Sequence, residues 1–179
     1  MRLRSLLLSL CLLPVSAQAA DFTVTSASVA NSTFPKAQYA SVMGCTGAGQ
    51  SPELSWSGVP AAAKSLALSF YDPDAPTGSG WWHWMVVNLP PTVTHLAAGA
   101  GSPGGVLPVE ARQIRNDGSQ IGYFGLCPPV GQTHRYIVTV TALKVDHLDL
   151  PDNATPALAG FMINANSLGT ATLMVKAGR

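Results

Sequence analysis

Asp72 and Asp74 stand in the proline-punctuated run DPDAPTGSG, and His83 follows it among Trp81, Trp82 and Trp84. A carboxylate near an imidazole fixes the ring's orientation and favours its charged form. A second group lies in GYFGLCPPVGQTHRY, residues 122–136. There Tyr123, His134 and Tyr136 surround a stiff loop of Gly125, Cys127, Pro128, Pro129 and Gly131. His134 and Tyr136 are two positions apart, so on a strand they share a face. Each group alone has a plain structural explanation, since aspartate in turns is common, a tyrosine can fill a core and a histidine can sit satisfied at the surface. Together, two groups at strand ends, each flanked by Gly/Pro loops and aromatics, are less expected by chance than either alone.

Short strands must carry these residues. In SLALSFY, Leu66, Leu68 and Phe70 alternate onto one face, and the run delivers Asp72 and Asp74 at its carboxyl end. HWMVVNL is apolar on both faces, as in a central strand. FTVTSASV, RYIVTVTAL and TATLMVKAG complete the strand set, the second of them rich in β-branched residues. If SLALSFY and HWMVVNL lie close in one sheet, carboxylate and imidazole meet. One late helix is expected, with Thr155 as cap, Pro156 at its first position and Gly169 as its stop. Leu158, Phe161, Met162 and Ala165 recur along it at helical spacing. Residues 97–112 form an irregular Gly-rich loop. The expectation is a mostly-β domain.

Arg2 and Arg4, the apolar stretch Leu6–Leu13 and Ala17-Gln18-Ala19 have the layout of a secretory signal peptide over residues 1–19, cleaved near Ala19. The expected location is periplasmic or secreted, with a single domain over residues 20–179. Removing Arg2 and Arg4 from ten basic residues leaves eight against nine acidic ones. A net charge near zero gives no reason to expect nucleic acid or an anionic membrane as partner. Two cysteines remain, Cys45 and Cys127. They are either separate buried thiols or a pair, and export to an oxidising compartment favours the disulfide. Such a bridge closes a loop of roughly 80 residues, worth about 4 kcal/mol in the chain-entropy account.

Other chemistries lack their motifs. There is no His-Glu-x-x-His or Cys-x-x-Cys metal spacing, no Gly-x-Ser-x-Gly elbow and no phosphate-binding glycine loop before a helix. A metal on Asp72, His83 and His134 has no support from spacing, and no cofactor is expected. Acid–base hydrolysis by Asp72, His83 and His134 is a minor alternative, because no nucleophile motif accompanies them.

DPDAP with WHWMVVNLP, then CPPVGQTHRY, resemble the two signature regions of the phosphatidylethanolamine-binding protein (PEBP) family. The likeness is greatest to its bacterial YbhB/YbcL, or Raf-kinase-inhibitor-like, branch. It extends through GCTGAGQSPELSWSGVP upstream and TALKVDHLDLP downstream, essentially the whole mature chain. The resemblance implies a large central β-sheet flanked by a smaller one, without the C-terminal helix of animal members. It implies a pocket for a small phosphorylated or carboxylated anion, such as a phosphoethanolamine-like head group. Its ligand-binding residues would be Asp72, Asp74, His83, Cys127, Pro129, His134 and Tyr136, with Trp81, Tyr123 and Gly125 at the rim. The histidines and the phenol would donate to the anion, and the aspartates would orient the histidines. Leu126 departs from the pattern, since relatives often carry proline there. The family is one of binding proteins, so no turnover is expected. The alternative is an inhibitor or interaction protein for an extracytoplasmic or host protein, and bacterial relatives are often homodimers.

Overall fold

The computed structural model describes residues 20–179; the signal-peptide reading falls on residues 1–19, outside the described residues. Among the described residues the strands are β1 (Thr23–Thr25), β2 (Leu54–Ser57), β3 (Ser65–Asp72), β4 (Trp81–Leu89), β5 (His95–Leu96), β6 (Arg112–Gln113), β7 (Thr133–Leu143) and β8 (Ser167–Gly178), and one α-helix, α1 (Pro156–Ala165), lies between β7 and β8. Five strands form an antiparallel sheet in the order β6-β4-β3-β7-β8, and β1-β2-β5 form a smaller one. The molecule is mostly β, with two sheets, as expected.

The alternation along β3 explains the layering. Leu66, Leu68 and Phe70 enter one core with Val86 of β4, Val138 and Val140 of β7, and Val24, Leu54, Trp56 and Leu96 of the small sheet. Ala67, on the opposite face, joins Met85, Val87 and Ile114 in a second core closed by Ala159 and Ile163 of α1. β4 is therefore buried on both faces, which is why its sequence shows no polar stripe. Each fully buried side chain of this size contributes about 1.5–3 kcal/mol.

Two expectations about local structure are corrected. FTVTSASV is a strand only over Thr23–Thr25, because the Ser26 hydroxyl turns to the Glu53 carbonyl and the Val29 amide closes a turn onto Ser26. The Thr155 cap and Pro156 start of α1 are as expected, the hydroxyl accepting from the Leu158 amide at 3.2 Å. The helix stops at Ala165, however, and Gly169 already pairs with Ala142 in the large sheet. Its buried residues are Pro156, Ala159 and Ile163, while Leu158 and Phe161 face outward.

Candidate functional site

β3, β4 and β7 bring both groups of polar residues to one end of the large sheet. The β3–β4 ladder pairs Phe70 with Trp84 but Tyr71 with Trp82, so His83 is an extra residue in a β-bulge. A bulge re-aims a side chain that strict alternation would send to the other face. His83 thereby meets Phe70 edge-on, ring centroids 5.8 Å apart, and Tyr136 at 5.4 Å. The turn before β4 ends at Gly80, whose φ of +73° and closeness to the Tyr71 hydroxyl and Asp72 carbonyl suit only glycine.

A cavity of about 170 Å³ opens here. Asp72, Trp81, His83, Cys127, Pro129 and His134 line it, together with Met43, Ala75, Pro76, Thr77 and Phe124. Asp74, Tyr123, Gly125 and Tyr136 do not line it. Asp74 turns outward and takes a forked bond from the Arg135 guanidinium, with contacts of 2.6 and 2.9 Å, which holds its carboxyl well below the usual range. The Tyr123 hydroxyl donates to the Gln38 carbonyl at 2.8 Å, and burial pushes its pKa up. Gly125 packs against the Ala40 backbone, so closely that a Cβ would lie 2.3 Å from its nitrogen. Tyr136 is fully buried beneath the histidines and its hydroxyl has no partner; burial, then the charge of Asp72, raise its pKa.

The two imidazoles are held differently. His134 Nδ1–H donates to Asp72 Oδ2 at 2.7 Å, both side chains being almost fully buried, and its Nε2 lies 3.1 Å from Gln132 Oε1. His83 Nδ1–H donates instead to the Phe124 carbonyl at 2.8 Å. Asp72 thus orients His134 directly, whereas backbone orients His83. Burial lowers the His83 pKa to about 4, against the opposing pull of the Phe124 carbonyl and the Asp72 charge, so the ring is neutral at pH 7. Trp81 contributes an indole Nε1–H that is buried without a partner.

Cys127 forms a disulfide with Cys45, Cα atoms 5.8 Å apart. This crosslink fastens the 122–131 loop to the segment that carries Met43. Leu126, fully buried, donates its amide to the Gln38 carbonyl at 3.1 Å and accepts from the Ala40 amide at 2.9 Å. Proline at this position would forfeit the first of these bonds.

Phe124, Ala75, Pro76 and Thr77 lie inside the quoted motifs but carry no titratable group that would mark them as lining. Gln132 was legible only as a neighbour of His134, and Met43 only as a neighbour of Cys45.

The family model described as phosphatidylethanolamine-binding protein matches residues 25–178. The UPF0098 protein YbcL of Escherichia coli is 47% identical over 167 residues, which covers 92% of this chain and 91% of that protein. YbhB of the same organism is 47% identical over 131 residues, 73% of this chain and 83% of that one. The crystal structure of E. coli YbcL, described as a new member of the mammalian PEBP family, superposes with a TM-score of 0.85 at 45% identity, over 89% of this chain and 99% of that one. The chain belongs to the phosphatidylethanolamine-binding protein family.

Proposed function

We propose that this is an exported binding protein that holds a small phosphorylated or carboxylated anion in the cavity between β3, β4 and β7, without chemical turnover. The observation that carries the reading is the convergence of Asp72, His83 and His134 on one hollow whose walls are otherwise mostly apolar. Few polar groups on rigid strands within a dry surround are what a small-ligand site needs. No serine or cysteine nucleophile stands with the histidines, since the Cys127 sulfur is committed to Cys45. Export is supported by the leader-like composition of residues 1–19 and by the disulfide, which suits an oxidising compartment. A phosphoethanolamine-like head group would bring acceptor oxygens toward Trp81 and a cationic donor toward Asp72.

Isothermal titration of phosphoethanolamine, phosphate and acetate into wild-type protein and His83→Ala tests the assignment. The expected result is saturable binding weakened by roughly tenfold, about 1.4 kcal/mol, in the variant. Absence of heat from every anion, or equal affinity in the variant, would refute it.

A further inference from the structure

The cavity contains no lysine or arginine. Its one lining carboxylate, Asp72, is already engaged by His134 Nδ1–H and by the Asp74 amide at 2.8 Å. The nearby guanidinium groups lie outside the lining. Arg135 is locked onto Asp74, and Arg179 stands behind the disulfide, donating to the Gly44 carbonyl at 2.7 Å. The groups facing His83 are Asp72 from β3, His134 and Tyr136 from β7, and the carbonyls of the 124–125 segment. None of them is a fixed cation, so an anion that enters finds no permanent positive charge to meet it.

Hydrogen-bond polarity sharpens the point. With Nδ1–H committed to the Phe124 carbonyl, a neutral His83 has only a lone pair at Nε2 on its cavity-lining ring. A lone pair facing a fully ionised oxygen is repulsive; with a proton between them it becomes a charge-assisted bond. His134 does not take this role, because Asp72 and Gln132 occupy both its nitrogens. The indole Nε1–H of Trp81 is the one lining side-chain donor that is permanently protonated, buried and unpartnered, and such a donor gains most from an incoming acceptor.

Resting on the anion-pocket reading above, we propose that the site takes up its anion together with one proton, held between His83 Nε2 and a guest oxygen, while Trp81 Nε1–H donates to a second oxygen. The proton comes from solvent when the guest is fully ionised, and from the guest itself when it is a monoprotonated phosphate ester or an undissociated carboxylic acid. Affinity therefore rises as pH falls. At neutral pH the pocket selects acids that still carry a proton over permanently ionised ones.

Sulfate is the decisive probe, since it carries no titratable proton between about pH 5 and pH 7. Calorimetric titrations over that range, each in two buffers of different ionisation enthalpy, read both affinity and protons taken up. Wild-type protein is expected to lose sulfate affinity by up to about tenfold per pH unit with uptake of about one proton. His83→Asn, which retains a donor toward Phe124 but cannot accept a proton, is expected to show neither, its fold being checked by thermal melting. Trp81→Phe is expected to bind about tenfold more weakly with the pH slope intact. Sulfate binding without pH dependence or proton uptake overturns the proton linkage and leaves the anion pocket standing, as does a slope that survives in His83→Asn. Unchanged affinity in Trp81→Phe overturns the donor assignment. No binding of sulfate, phosphate or phosphoethanolamine at about pH 5 overturns the pocket reading itself.

Discussion

His83 ties folding to acidity. Its ring is buried and neutral, with a pKa lowered to about 4 from an ordinary 6.5, chiefly by burial. Between those two values the unfolded chain binds the proton that the folded one refuses, so stability rises with pH across the window. In anion-free buffer, stability is expected to be complete above about pH 6.5 and to fall toward pH 4 by up to about 3 kcal/mol. Urea melts across this range check it, and His83→Asn should flatten this part of the profile. The Asp74–Arg135 pair behaves differently. Its depressed carboxyl contributes above the ordinary carboxylate pKa and loses that contribution only in stronger acid. At this scale the sequence was informative about residue type and poor about direction. Asp72, His83 and His134 were legible as a set, but nothing in DPDAP distinguishes the aspartate that turns inward from the one that meets Arg135.

Local periodicity carried most of the element-level reading and failed where periodicity itself breaks. Leu66, Leu68 and Phe70 announced β3, and the apolar run of β4 announced a strand covered on both sides. The bulge opposite Phe70 and Tyr71 is invisible to such a pattern, since it is made by adding one residue to the count. Strict alternation places His83 with Met85 and Val87, away from Tyr136. The helix failed for another reason. α1 is apolar nearly all round, so its sequence contains two candidate faces, and packing against Met85, Val87 and Ile114 selects the one with Ala159 and Ile163. Phe161 is 69% exposed. Phe161→Ala is accordingly expected to change stability by no more than about 0.5 kcal/mol. Ile163→Ala should cost about 2–4 kcal/mol, with chemical denaturation as the measure.

Across the whole molecule, the two sheets make the core and the loops at one end make the site. The Cys45–Cys127 bridge, spanning 82 positions, joins those loops. The chain-entropy account assigns such a crosslink about 4–5 kcal/mol. Reduction, or the double variant Cys45→Ala/Cys127→Ala, is expected to lower unfolding stability by about that amount and to weaken anion binding as the Met43 and Cys127 walls part. Guanidinium melts and calorimetry with and without reductant read the two effects. The pairing was suggested by the two cysteines outside the leader-like residues 1–19, and the family resemblance already named Cys127 as a pocket residue; that Met43 joins it across the crosslink was not legible, because those loops meet only in three dimensions. A newly made chain with free thiols therefore owns a chamber with one panel unfastened. Under the proposed function, oxidation would be its finishing step, and competence to keep a guest would date from the moment the sulfurs join.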